Sequence, residues 1–313
     1  MTLGEVSSIR DAYSETIVEL GKSNPNIIVL DADLSFSTRT HRFKEAFPER
    51  FFNLGIAEAD MMGTAAGLAS CGKTVFASTF AVFASGRAWD QIRLGISYSK
   101  LNVKIVVSHS GIEVGEDGYS HQAIEDIALM RVLPAIRVIV PCCANQTKAV
   151  IRFVAREEGP FYVRLIKHSL PIIYPENLEF KLGQAITLKE GKDIAIGAIG
   201  SMVSRALKAQ EILKAKGISA RVIDFASVKP IDVSAIKKAC DETRGFITCE
   251  DHTTVGGLGD AVAQVILSHH PIPHSRIGIQ GTFGESGASR DLYEKYGLTA
   301  NHISAKAEKL LKC

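Results

Sequence analysis

One carboxylate in an apolar setting is the strongest candidate for acid–base chemistry in this sequence. Glu58 ends the run Asn53–Glu58, which reads NLGIAE, and it precedes a predicted helix of small residues, Met62–Ala69. A glutamate that apolar neighbours keep from water can act as a general acid or base. The same position also suits a surface carboxylate at a helix start, where the helix dipole favours negative charge.

Two aromatic residues follow a predicted strand, Thr74–Phe80. Phe80 and Phe83 stand three residues apart, and rings at this spacing can hold a flat ligand by stacking. Core filling explains the same spacing, so the pair alone does not distinguish a binding site from packing.

A polar loop follows another predicted strand. His109–Gln122 contains three glycines, three acidic residues and two histidines. Its spacing matches no zinc pattern, which argues against a metal site. Hydrogen bonding to a polyhydroxylated substrate fits these side chains, and a solvated loop with glycine-dictated turns is the alternative.

Dispersed residues near predicted helix starts and strand ends can bind phosphate, since arginine grips phosphate with two hydrogen bonds. They are Arg10, Ser37, Arg164 and Lys167. A glycine-rich run, Glu250–Asp260, lacks the spacing of a dinucleotide site, and we interpret it as a structural turn.

Alternating strands and helices must position these residues. Apolar residues from Ile9 to Leu20 predict a helix that Ser8 caps and Gly21 closes. Buried-type strands recur with helix-length segments between them. The predicted strands are Asn26–Asp31, Thr74–Phe80, Val103–Ser108, Ile136–Val140, Phe161–Leu165, Ile194–Ile199, Arg221–Phe225, Gly245–Cys249 and Arg276–Gln280.

This alternation predicts an α/β fold with two consecutive three-layer domains and mostly parallel sheets. The regular alternation of strand and helix segments is interrupted after Leu165, and we place the domains at 1–176 and 177–313. In open α/β sheets the ligand lies beyond the carboxyl ends of the strands. The segments that follow each strand are therefore the expected site.

Composition excludes some classes of function. The 313 residues include 36 basic and 34 acidic side chains, a net charge of +2 that offers no basic surplus for nucleic acid or an anionic membrane. No apolar run approaches the length of a membrane helix. Six cysteines include no C-x-x-C pair, which indicates buried thiols in a reducing cytoplasm.

The motifs together closely resemble the C-terminal half of transketolase, a thiamine-diphosphate enzyme. The resemblance covers essentially the whole chain as a pyrimidine-binding domain followed by the C-terminal domain. The motifs that carry it are Asn53–Glu58, Thr79–Phe83, Gly115–Gln122 and Thr282–Gly284, in that order.

The resemblance implies roles at the cofactor. Glu58 would hydrogen-bond N1′ of the aminopyrimidine ring, and Phe80 and Phe83 would pack on that ring. Gly86 stands where the family has a third aromatic residue. Asp33 matches an acidic residue near the cofactor.

It also implies roles at the substrate. Asp117 and His121 would contact sugar hydroxyls, so that Glu58 and His121 are the implied catalytic residues. The implied phosphate-binding positions are Arg10, Ser37, His109 and Arg164. Their presence favours phosphorylated sugars.

The family's Gly-Asp-Gly motif, which holds the diphosphate through Mg²⁺ or Ca²⁺, does not occur in this sequence. We therefore expect no metal ligand here and a separate N-terminal subunit that holds the diphosphate and the metal. The expected assembly is an α2β2 heterotetramer around a β2 core. Its activity would be transfer of a two-carbon ketol unit between sugar phosphates.

Other interpretations remain. The β-subunit of a 2-oxoacid dehydrogenase E1 component is also a half-chain with a matching glutamate. Deoxyxylulose-phosphate synthase is a third relative, although it normally keeps both halves in one chain. A non-catalytic scaffold subunit could keep the fold without the chemistry, and the presence of Glu58 argues against it.

Overall fold

The structure is a computed structural model that describes residues 5–312. The strands are β1 (Val6–Ser8), β2 (Ile27–Asp31), β3 (Phe51–Asn53), β4 (Thr74–Phe80), β5 (Val103–Ser108), β6 (Arg137–Ile139), β7 (Phe161–Arg164), β8 (Ser169–Pro171), β9 (Ile186–Lys189), β10 (Ile194–Ala198), β11 (Ala220–Asp224), β12 (Ser227–Lys229), β13 (Phe246–Thr253) and β14 (His274–Ile279). The helices are α1 (Ile9–Ser23), α2 (Ser35–Thr38), α3 (His41–Ala46), α4 (Glu58–Ser70), α5 (Trp89–Gln91), α6 (Asp126–Val132), α7 (Ala144–Arg156), α8 (Met202–Ala215), α9 (Val233–Glu242), α10 (Leu258–His269), α11 (Ser289–Lys295) and α12 (Ala300–Leu310).

The first α1 turn forms as the sequence predicts, with the Asp11 amide donating to Ser8 Oγ at 3.1 Å. The helix nevertheless continues past Gly21 to Ser23. Gly21 packs against the Phe43 and Phe47 rings, where a Cβ would come within 2.6 Å of Phe47. Gly21 therefore provides room for a close contact and does not end the helix.

The first domain is built on a seven-stranded sheet in the order β12-β6-β7-β5-β4-β2-β3. All of its pairings are parallel except that between β12 and β6. The central strands β2, β4 and β5 are buried along their whole length. Because helices cover both faces, these strands lack the polar alternation of a half-exposed sheet.

The second domain carries a five-stranded sheet in the order β14-β13-β10-β11-β9. Its pairings are parallel except at the edge strand β9, which runs antiparallel to β11. These two sheets confirm the predicted α/β fold with mostly parallel strands. The boundary that we predict after residue 176 lies between β8 and β9 and stays a prediction.

One strand crosses between the domains. β12 follows β11 in the chain, yet Ser227 pairs with Ile139 of β6 at the edge of the first sheet. The two domains therefore share backbone hydrogen bonds as well as side-chain packing, a connection that no pattern in the sequence predicts.

Among residues 5–312, none of the helices combines the length and apolar character needed to cross a membrane.

Candidate active site

The carboxyl ends of β2, β4, β5 and β7 meet at one edge of the first sheet. Candidate residues follow each of them: Asp33 after β2, Phe83 after β4, His109 after β5 and Lys167 after β7. Parallel pairing of neighbouring strands brings these ends together. The site therefore forms where an open α/β sheet usually binds its ligand.

Glu58 is the first residue of α4 and is only 3% exposed. The turn before it depends on Gly55, which has a φ of +74°, a left-handed conformation that glycine adopts without strain. Asn53 Oδ1 accepts hydrogen bonds from the Gly55 and Asp33 amides, both at 3.0 Å. The Glu58 carboxylate is therefore shielded from water. A role as general acid or base requires this setting, whereas a surface carboxylate would be exposed.

Arg87 is the ion-pair partner of Glu58, with 3.1 Å between Nη1 and Oε1. The same guanidinium lies 4.2 Å from the centre of the Phe83 ring. Gly86 leaves open space where a side chain would stand. The position of the absent third aromatic is therefore open, and the Arg87 side chain, 54% exposed, has room to move away from Glu58.

The aromatic residues form a stacked series. The Phe80 and Phe83 rings lie 5.7 Å apart at 16°, and Phe80 stacks on His109 at 3.8 Å and 21°. His121 presents its ring edge-on to Phe83 at 5.4 Å. The structure therefore brings together aromatic residues from two separate strand ends, an arrangement suited to a planar ligand.

His109 is buried in an uncharged state. Its φ of +55° lies in the left-handed region, and its Nδ1 is 2.9 Å from Ser108 Oγ. Burial and the nearby charges of Arg10 and Lys167 lower the pKa of His109 to about 3. A neutral imidazole can accept a hydrogen bond at one nitrogen and donate at the other.

We expect no titration of His109 between about pH 5 and pH 8 in histidine NMR spectra. Because the unfolded chain takes up this proton more readily, the free energy of unfolding should not depend on His109 above its ordinary pKa of 6.5 and should fall as the pH drops toward 3. The exposed His270 serves as a reference in the same spectra. A His109 midpoint near 6.5 would contradict the buried, neutral state.

Arg10 has unused hydrogen-bonding capacity toward an anion. Its Nη1 donates to the Ser37 carbonyl at 2.6 Å, while its buried Nε has no hydrogen-bond partner among the described residues. Burial and the neighbouring Arg39 guanidinium lower the pKa of Arg10. Two nearby cations repel each other, and a bound anion would relieve that repulsion.

Arg164, at the end of β7, is hydrogen-bonded inside the protein. It is 2% exposed, and its Nε donates to Asp126 Oδ2 at 2.8 Å. Its Nη2 donates to the carbonyls of Ala123 and Asp251. The Nε and Nη2 groups of Arg164 are thus used inside the protein, and its predicted phosphate contact stays a prediction.

Lys167 lies next to the His109–Gln122 loop. It stands beyond the end of β7, where its Nζ donates to Asp117 Oδ2 and to the Val114 carbonyl, both at 3.1 Å. Asp117 is exposed and His121 is partly exposed, with Ser120 Oγ 3.0 Å from His121 Nδ1. Lys167 and the loop thus together present one cation, one carboxylate and one imidazole at the site.

Asp33 and Asp31 organise the part of the site at the carboxyl end of β2. Asp33 is exposed with a φ of +63°, and its carboxylate accepts from Asn53 Nδ2 at 2.9 Å. Asp31 is fully buried and accepts from the Thr38 and Thr40 hydroxyls. Burial raises the pKa of Asp31 to about 6. Its hydrogen bonds hold the segment that carries Ser37.

Sequence reasoning missed Arg87, Asn53 and Asp31. Arg87 follows Phe83 by four residues, a spacing that places two side chains on one helical face and could have revealed it. Asn53 and Asp31 act through loop hydrogen bonds, for which the sequence gives no signal. Within residues 5–312, no cluster of three or more His, Cys, Asp or Glu side chains is placed to hold a metal ion.

Comparison with known proteins gives matches over nearly the whole chain. The family model described as transketolase, pyrimidine binding domain, matches residues 6–172, and the one described as transketolase, C-terminal domain, matches residues 183–303. A Methanocaldococcus jannaschii protein named "Putative transketolase C-terminal section" is 50% identical over 312 residues, covering 99% of this chain and 98% of that protein.

Two further matches extend the comparison. A Clostridium protein named "6-deoxy-6-sulfo-D-fructose transketolase subunit SqwH" is 39% identical over 302 residues, covering 96% of this chain and 94% of that protein. A solved structure described as "Split gene transketolase, inactive beta4 tetramer" superposes with a TM-score of 0.92 at 50% identity and covers 99% of both chains.

Proposed function

The chain belongs to the transketolase family, and from this premise we propose that it is the C-terminal subunit of a thiamine-diphosphate-dependent transketolase. The proposed reaction moves a two-carbon ketol unit from a ketose phosphate to an aldose phosphate. The observation that carries the proposal is the buried Glu58 carboxylate, which Arg87 connects to the stacked Phe80 and Phe83 rings. Members of this family depend on thiamine diphosphate.

The residues present fit the pyrimidine half of that cofactor. Glu58 would hydrogen-bond the ring nitrogen N1′, and Phe80 and Phe83 would pack on the ring. Asp33 lies on the same side, joined to the Glu58 turn through Asn53. When bound, thiamine diphosphate supplies a nucleophilic carbon and an electron sink. The chain itself supplies a dry carboxyl group that holds or releases a proton at N1′.

The sugar phosphate would bind between the His109–Gln122 loop and Arg10. Asp117 and His121 would hydrogen-bond sugar hydroxyls, with His121 moving a proton at one of them. Further contacts would come from Ser37 and His109. We assign the phosphate to Arg10 and Lys167, because Arg10 has an unsatisfied buried donor and the Lys167 ammonium lies beside Asp117, whereas Arg164 uses its Nε and Nη2 inside the protein.

Lys167→Met is expected to raise KM for a phosphorylated donor about 10-fold to 100-fold with little change in kcat, since it removes a charge-assisted hydrogen bond. The matched control is Lys22→Met at the exposed end of α1. Steady-state kinetics with a ketose phosphate and with the same ketose lacking phosphate separate the effects. An equal rise in KM for both donors would remove Lys167 from the phosphate site.

The diphosphate and its Mg²⁺ or Ca²⁺ would be held by a separate N-terminal subunit in an α2β2 assembly around a β2 core. The names "C-terminal section" and "subunit" of the two relatives fit this arrangement. So does the description of the similar solved structure as an inactive β4 tetramer. We place the complex in the cytoplasm, where the buried thiols of Cys142 and Cys249 would stay reduced.

The substrate class is tested with the complex of this chain and its N-terminal subunit. Supplied with thiamine diphosphate and Mg²⁺, it should cleave a ketose phosphate and pass the two-carbon unit to an aldose phosphate. Release of CO₂ from pyruvate or a branched oxoacid, with no ketose cleavage, would favour the E1 β-subunit. The relatives include transketolases named for a sulfosugar and for apulose 4-phosphate, so both belong in the donor panel.

A further inference from the structure

The second domain has the strand order that creates a ligand-binding crevice in other α/β folds. Its chain passes from β10 to β11 on one side and then to β13 on the other, so the strand order reverses between β10 and β13. Ligands usually occupy the carboxyl ends of the strands at such a reversal. Here that position is filled by Ile112–Asp117, a 3-10 segment of the first domain.

Asp251 of β13 makes the central contacts in this crevice. It is 2% exposed, and its Oδ1 accepts from the Ile112 amide at 3.0 Å. Its Oδ2 accepts from the Tyr293 hydroxyl at 2.8 Å and more distantly from the Glu113 amide at 3.4 Å. The first amides of a helical segment have no internal partner, and Asp251 satisfies them from another domain.

All three glycines of the loop approach the second domain closely. Each has a positive φ, and a Cβ would lie 2.2 Å from Asp251 at Gly111, 3.0 Å from Ser289 at Gly115 and 2.4 Å from Ser286 at Gly118. The glycines therefore have two functions. They allow the positive φ angles of the turns, and they leave room for the loop to pack against the second domain.

Further hydrogen bonds hold the rest of the loop. Ser289 Oγ donates to the Glu113 carbonyl at 2.8 Å, and Gln122 Nε2 donates to the Glu285 carbonyl at 2.9 Å. Arg164 joins both sides, since its Nη2 donates to the carbonyls of Ala123 and Asp251. The Arg164 side chain thus links the two domains by hydrogen bonds.

We propose that the second domain acts in catalysis by holding the His109–Gln122 loop in its substrate-binding geometry, with Asp251 as the main positioning residue. Asp117 and His121 lie on this loop on either side of Gly118. The consequence for catalysis rests on the proposed function, whereas the mechanical role of Asp251 does not. The domain would then set substrate affinity without touching the substrate.

Backbone hydrogen exchange tests the mechanical role directly. In Asp251→Asn, one of the two accepting oxygens becomes an NH2 donor, so the side chain can no longer accept from the Ile112 and Glu113 amides and from the Tyr293 hydroxyl together. The Ile112 and Glu113 amides should exchange about 10-fold to 100-fold faster. The matched control is Glu250→Gln on the same strand. Glu250 is equally buried and also accepts two backbone amides, from Leu258 and Gly259, but these lie within the second domain.

Kinetics of the complex with the N-terminal subunit test the consequence. Asp251→Asn should raise KM for the ketose phosphate about 10-fold or more, with an unchanged Kd for thiamine diphosphate measured by fluorescence titration. Ser289→Ala should give a smaller change in the same direction. Its control, Ser204→Ala, removes a hydroxyl that bonds only within the second domain.

Exchange at the wild-type rate in both Asp251→Asn and Ser289→Ala would overturn the proposal. So would an equal loosening of the loop in Glu250→Gln. If Asp251→Asn does not fold, Ser289→Ala against Ser204→Ala decides the matter. If the wild-type complex transfers no ketol unit, the proposed function fails, and the exchange measurement still decides the role of Asp251.

Discussion

Glu58→Gln should lower kcat of the reconstituted complex by at least about 100-fold, the usual contribution of a positioned acid–base group. Glutamine has the same shape and fits the same 3% exposed position. It cannot exchange a proton with the ring nitrogen, and it loses the ion pair with Arg87. The loss should therefore fall on turnover, with the fold and the assembly unchanged.

The control for this variant is Asp60→Asn, an exposed carboxylate in the same first turn of α4. It should keep wild-type turnover. Binding of thiamine diphosphate, followed by circular dichroism, shows whether the Glu58→Gln complex still takes up the cofactor. Unchanged turnover in Glu58→Gln would support the alternative of a non-catalytic scaffold.

Dependence on a second subunit has the other large expected effect. The purified chain should transfer no ketol unit even with saturating thiamine diphosphate and Mg²⁺. Addition of the N-terminal subunit should produce activity that saturates at a 1:1 ratio. Glu58 and the aromatic pair would hold one ring of the cofactor, whereas the charged diphosphate would depend on ligands from the partner.

Mass measurement of the mixture should show an α2β2 species at the ratio where activity saturates. The Glu58→Gln chain is the control here, since it should assemble normally and stay inactive. Activity of the single chain comparable with that of the mixture would contradict the split-enzyme proposal.

Much of the fold follows from the sequence, because buried parallel strands appear as apolar runs separated by helix-length segments. The strand predicted at Thr74–Phe80 coincides with β4. β12 was missed because its partner, β6, lies about ninety residues earlier in the chain. No local pattern indicates a pairing across that distance.

The site was likewise predicted in part. The rule that ligands lie beyond the carboxyl ends of parallel strands pointed to the segments that carry Asp33, Phe80, His109 and the β7 end. Residue type and position allowed both Arg164 and Lys167 as phosphate ligands, because both lie near the end of β7, and the resemblance implied Arg164. Arg164 belongs to the strand and is buried against Asp126, whereas Lys167 stands past the strand in the cleft. Only three-dimensional packing separates them.

Strand β12 has a consequence for handling the protein in pieces. A shortened chain that stops at residue 176 would lack the segment that covers β6 and would present the open backbone edge of that strand to solvent. Exposed sheet edges are the places where separate molecules join and precipitate. Expression of each domain by itself is thus a poor route to either, and dissection is better done by point substitution in the intact chain.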